Sequence, residues 1–89
     1  MDIKNVGSNM TQVGFNGNQI LYSYSTPVAA WDNERGEYVR TDKFWSQTTS
    51  RHINKWIGKV YSNVHHVSQS GIDNLADFHQ SHLEPKHDN

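Results

Sequence analysis

The stretch Trp45-Ser-Gln-Thr-Thr-Ser-Arg-His-Ile-Asn-Lys-Trp56-Ile57-Gly58 decides the fold reading, because a start signal, a period and a stop signal coincide in it. Thr48 or Ser46 supplies an N-cap, whose side-chain oxygen accepts from an orphan backbone N–H. Ile53, Trp56 and Ile57 fall at i, i+3 and i+4, one stripe of a helix. Gly58 follows the last apolar residue, where a left-handed C′ residue costs least. The pattern predicts a helix over residues 48–57, anchored by Trp56 in the core. Truncating a core ring of that size to alanine costs about 3–5 kcal/mol.

Upstream, the chain reads as β-hairpin material for this helix to cover. Met10–Phe15 alternates as a strand. Asn16-Gly17 is a strong hairpin signal, and the following Asn18 also allows a three-residue loop. Gln19–Ser25 places Ile20, Tyr22 and Tyr24 on one face of a second strand. Pro27 marks an edge, a bulge or a bend, since it donates nothing to a ladder. Val28-Ala-Ala-Trp31 resumes extended structure, its alanines allowing close approach, and offers an edge for pairing, including with a second copy of the chain. Asp32–Gly36 is a turn cluster, and Glu37–Thr41 is the return strand.

Downstream, Val60, Tyr61, Val64 and Val67 have no clear period and read as an irregular or extended connection. Ser70 and Asp73 have capping-box spacing, and Ile72, Leu75, Ala76 and Phe78 continue it, so a second helix is expected over about 70–80. The expected fold is α+β: an antiparallel sheet of three to four strands, one central helix packed on it, and a second short C-terminal helix. Residues 1–9 are expected to be a flexible N-terminus, 10–80 the single domain, and 81–89 a flexible polar tail.

The chain has 89 residues, which bounds it to one small domain. Apolar content is only 34%, but three Trp, four Tyr and three Phe supply large buried areas per residue. There is no cysteine, which excludes disulfides and thiolate metal sites. The start, Met-Asp-Ile-Lys-Asn, lacks the apolar segment of a signal peptide, and no run is long enough to span a membrane. Net charge is −1, unevenly spread. Between Arg35 and Lys59, six cations (Arg35, Arg40, Lys43, Arg51, Lys55, Lys59) face Glu37 and Asp42, a net of +4. From Ser68 to the end, Asp73, Asp77, Glu84 and Asp88 face Lys86, a net of −3.

Candidate chemistry is sparse. His65-His66 and His79-x-x-His82 invite a metal reading, but a histidine zinc site needs three or four converging ligands and nothing in their order demands that. Solvent-facing histidines on a frayed end are the favoured explanation, so no metal or other cofactor is expected. No Gly-x-Ser-x-Gly elbow or phosphate-cradling glycine loop is present, and a non-enzymatic protein is expected. Arg40, Lys43, Arg51 and Lys55, interleaved with rings, can form a nucleic-acid patch in which bases stack and phosphates meet cations. The competing reading puts the rings in the core and leaves the cations as an ordinary solvated face. Trp31, Arg35, Tyr38 and Trp45 form the other candidate set, because surplus exposed aromatics beside arginines are the makeup of protein-binding hot spots.

Two segments carry a resemblance. Ile20-Leu-Tyr-Ser-Tyr-Ser-Thr-Pro-Val-Ala-Ala30 and Phe44-Trp-Ser-Gln-Thr-Thr-Ser-Arg-His-Ile-Asn-Lys-Trp56 resemble a group of small uncharacterised proteins encoded by tailed bacteriophages and related mobile elements. A closing segment like Val67–Leu75 belongs to the same pattern, so the resemblance covers roughly residues 10–75. It carries no assigned activity and no functional residues. It implies a phage-encoded protein working in the host bacterial cytoplasm, acting in host takeover or counter-defence. On this reading the first expected function is binding a host or phage protein, with homodimerisation possible, and the second is nucleic-acid binding by the basic middle. No membrane association is expected.

Overall fold

A computed structural model describes residues 2–15, 17–58 and 64–83, the side chains only as far as residue 76. Six strands and two helices follow one another as β1 (Asp2–Gly7), β2 (Met10–Phe15), β3 (Asn18–Ser23), β4 (Thr26–Asp32), β5 (Glu37–Thr41), α1 (Gln47–Ile57), β6 (Val64–Val67) and α2 (Gln69–Leu83). The strands form one mixed sheet in sequence order. The first five pair antiparallel, and β6 joins β5 in parallel after the crossover through α1.

The expectation of a three-to-four-stranded antiparallel sheet under one central helix is therefore wrong. Asp2–Gly7 adds a strand that the sequence reading does not count. It lies at the sheet edge with four of its six residues exposed, so no apolar alternation announces it. Val64–Val67 adds the parallel strand, too short to display a period. Its two valines point to opposite faces, Val64 to one apolar cluster and Val67 to the other. Val28–Trp31 is not an edge, because β4 lies between β3 and β5. Residues 59–63 and the tail 84–89 lie outside the described residues.

Both faces of the sheet are covered. On one, α1 packs Ile53 and Ile57 against Met10, Leu21, Val28 and Ala29. On the other, α2 packs Ile72 and Ala76 against Ile20, Ala30 and Val39. Neighbouring strand residues face opposite ways, so Ile20-Leu21 and Ala29-Ala30 each serve one helix apiece. Strands buried on both faces read as continuous apolar runs rather than alternations. The alanines let the helices approach: Ala29 and Ala30 are both fully buried, one beneath each cluster. Burying a residue such as Leu21 or Ile72 stabilises by about 1.5–3 kcal/mol.

Two irregularities sit at one end of the sheet. The β3–β4 register shifts beyond Leu21, and Pro27 takes its place opposite Tyr22 beside that bulge. Tyr24, in the β3–β4 turn, has φ 58°, a region that costs a bulky side chain about 1–2 kcal/mol. Its N–H donates to Asn9 O at 2.8 Å, tying this turn to the β1–β2 turn and holding the conformation.

Candidate functional site

The site is built around α1. Ser46 caps it, its Oγ accepting from the Thr49 N–H at 3.1 Å. Gly58 ends it at φ 84° and ψ 177°, outside the left-handed helical well and in a region essentially confined to glycine, its N–H donating to Asn54 O. The inward stripe is Thr49, Ile53 and Ile57. At its N-terminal end the contact with the sheet is polar. The buried Ser23 hydroxyl lies 2.9 Å from Thr49 Oγ1 and 2.8 Å from His52 Nδ1. Tyr24 covers the imidazole with ring centroids 5.8 Å apart. Ser23 is only 2% exposed, so this serine–histidine pair fastens helix to sheet instead of presenting a nucleophile.

The outward ridge of α1 is basic. Arg51 and Lys55 are one turn apart, both exposed, and the helix contains no acidic residue. Asn54, between them in sequence, accepts from Arg40 Nη1 at 3.0 Å, which draws Arg40 of β5 toward the same ridge. From β2 to β6, the strand residues facing α1 include one formal charge, Arg40, together with His66. Asp2 and Lys4 of β1 share that face and cancel. Two further strand carboxylates, Asp32 and Glu37, lie on the other side and face α2, which itself carries Asp73. The two faces of the sheet thus differ in sign.

At the C-terminal end of α1 three rings meet. Trp31 and Tyr38 pack edge-to-face at 5.0 Å, and Tyr38 and Trp56 do the same at 5.6 Å. All three are half-buried, so Trp56 packs against the core without being enclosed in it. They line an open pocket of about 620 Å³ with Gln12, Gly17 and Gln19, a size typical of small-molecule sites. The amides form a directed chain. Trp56 Nε1–H donates to Gln12 Oε1 at 2.8 Å, and Gln12 Nε2–H donates to Gln19 Oε1 at 2.9 Å. An indole nitrogen only donates, so the orientation of both amides follows from chemistry. Gly14 makes room for the arrangement, since a Cβ there would meet Gln19 Oε1 at 2.9 Å.

Near the N-terminal end of α1 the surface is aromatic and cationic. Phe44 is 70% and Trp45 41% exposed. Lys43 Nζ lies 4.0 Å from the centre of the Trp45 ring, and Trp45 Nε1 donates to Gln69 Oε1 at 3.0 Å.

Of the sequence-predicted residues, Trp31 and Tyr38 line the pocket, Arg40, Arg51 and Lys55 gather beside Asn54, and Lys43 and Trp45 form a separate contact before α1. Arg35 stands apart in the β4–β5 turn, within ion-pair range of Asp32 and Glu37. Sequence reasoning did not single out Gln12 and Gln19. Their signal is two glutamines at positions whose strand neighbours on the same face, Met10 and Leu21, are buried. Among the described residues no group of three or more His, Asp or Glu can hold a metal ion. His65 approaches Glu37 at 3.5 Å, while His66, the next residue, points to the opposite face; the side chains of His79 and His82 lie outside the described residues. No helix of the described residues is long and apolar enough to cross a membrane.

In comparison with known proteins, residues 1–74 fit the model of a family described as a family of unknown function, DUF8033. No curated protein and no solved structure matches the chain.

Proposed function

The chain belongs to the DUF8033 family of unknown function, and we propose that it is a non-enzymatic module that binds single-stranded nucleic acid across its α1 face. The observation that carries this reading is the separation of charge between the two sheet faces. Arg40, Arg51 and Lys55 gather on one side, while Asp32, Glu37 and Asp73 lie on the other. An overall charge of −1 conceals this asymmetry. The basic ridge lies along the helix whose last turn contributes Trp56 to the ring-lined pocket. Cations beside partly exposed rings are the makeup of surfaces that hold phosphates and stack bases. The setting proposed is the host bacterial cytoplasm, supported by the resemblance of residues 20–30 and 44–56 to phage-encoded proteins.

Fluorescence anisotropy of labelled single- and double-stranded DNA at low salt tests the proposal. Single strands are expected to bind in the micromolar range, roughly 1–100 μM. Arg51→Gln combined with Lys55→Gln is expected to weaken binding about tenfold or more at low salt without unfolding, since both side chains are exposed. Absence of any anisotropy change at about 100 μM protein overturns the reading.

A second reading, binding of a host or phage protein, is favoured by Phe44 and Trp45, an exposed apolar pair of the kind that anchors interfaces. It predicts that Phe44→Ser and Trp45→Ser abolish a phage phenotype while DNA binding is unaffected. Normal phage growth in both variants contradicts it.

A further inference from the structure

We infer that the pocket lined by Gln12, Gly17, Gln19, Trp31, Tyr38 and Trp56 takes one base of the bound strand and selects thymine or uracil, which present the carbonyl oxygen O4, over adenine and cytosine, which present an amino group at the corresponding position. The inference rests on the nucleic-acid reading and adds a base preference to it.

The hydrogen-bond polarity of the pocket is set from Trp56. Trp56 Nε1 can only donate, so Gln12 must turn its oxygen toward it. Gln12 then turns its nitrogen toward Gln19, and Gln19 turns its oxygen to meet that nitrogen. Both amide oxygens have a partner, and the chain ends on Gln19 Nε2, whose N–H groups have no hydrogen-bond acceptor among the described residues. No lining residue is ionised, so the pocket offers no specific seat for a phosphate or an ammonium group.

Glutamine usually reads adenine through both ends of its amide, accepting from the 6-amino group and donating to N7. Here the accepting end of Gln19 is already held by Gln12. A donor edge facing the amino group of adenine or cytosine is repulsive. The same edge facing O4 of thymine or uracil makes a hydrogen bond. The half-buried rings of Trp31, Tyr38 and Trp56 supply an apolar wall against which the base can stack.

Titration of the full chain with oligo-dT, oligo-dA and oligo-dC of about twelve nucleotides, read by tryptophan fluorescence and anisotropy, tests this. Oligo-dT is expected to bind about tenfold more tightly than either of the others, within the range of one discriminating base contact. Gln19→Leu is expected to bring oligo-dT down to the affinity of oligo-dA while leaving the salt dependence unchanged. Gln19→Glu replaces the terminal donor with an acceptor and is expected to shift the preference toward cytosine, whose amino group it can accept from. Circular dichroism establishes that each variant is folded, and either folded variant is sufficient for the test. Equal binding of the three oligomers by the parent protein overturns the inference and leaves the nucleic-acid reading standing. An unchanged thymine preference in a folded Gln19 variant also overturns it. If no oligomer binds, both fail.

Discussion

Replacing Trp56 by alanine and, separately, by phenylalanine separates what its ring and its N–H contribute. Truncating a fully buried ring costs about 3–5 kcal/mol. Trp56 is half-buried, so about 2 kcal/mol of that applies. Loss of the 2.8 Å bond to Gln12 Oε1 adds about 1 kcal/mol. Loss of the edge-to-face contact with Tyr38 adds about 0.5–1 kcal/mol. The total is about 3–4 kcal/mol, which for a domain of this size lowers Tm by about 15–25 °C. Phenylalanine retains most of the ring contact and loses the N–H, so Trp56→Phe should cost about 1–2 kcal/mol. It should also release Gln12 to rotate its amide and thereby weaken the base preference of the pocket. Thermal unfolding by far-UV circular dichroism, with urea titration as a check, measures both. A Trp56→Ala protein melting within about 2 °C of the parent, or a Trp56→Phe protein as unstable as Trp56→Ala, refutes this account of the ring.

Ile72→Ala should destabilise by about 2–5 kcal/mol in urea unfolding, because Ile72 of α2 is fully buried against the sheet; a cost under about 0.5 kcal/mol means that α2 does not cover the second face. Gly58→Ala should cost about 1–3 kcal/mol from backbone strain alone, since φ 84° and ψ 177° lie in a region essentially confined to glycine while no atom lies within 4 Å of the added Cβ; an unchanged unfolding midpoint contradicts this backbone geometry. Ser23→Ala should cost about 1–3 kcal/mol by orphaning Thr49 and His52, and an unchanged unfolding midpoint contradicts the polar fastening of α1.

The sequence showed α1 most clearly, because the capping serine, the Ile53/Ile57 stripe and Gly58 act within eleven to thirteen residues and need no tertiary information. The β2–β3 and β4–β5 hairpins were legible for the same reason, since turn chemistry is local. What it hid was everything decided between distant segments. The exposed edge strand β1 has no apolar alternation, and the four residues of β6 become a strand only by pairing with β5. The second covering helix was visible as a helix but not as a layer. Its evidence lay in consecutive buried pairs, Ile20-Leu21 and Ala29-Ala30, that signal a sheet covered on both faces. Without that, Ile20, Tyr22 and Tyr24 read as one aromatic face, although Tyr24 in fact leaves the strand at positive φ. For the site, clustering of Arg40, Arg51 and Lys55 could be suspected from charge alone. The amide chain could not be, because it depends on Gln12, Gln19 and Trp56 meeting from three elements.

The salt dependence of oligo-dT binding tests the proposed role of the α1 face most directly. If Arg40, Arg51 and Lys55 each neutralise one phosphate, log K against log salt should fall with a slope of about 2 for a single strand. Removing Arg51 and Lys55 together should flatten it to about 0.7. A slope near zero in the parent protein, or one that the double variant leaves unchanged, contradicts phosphate binding by this ridge.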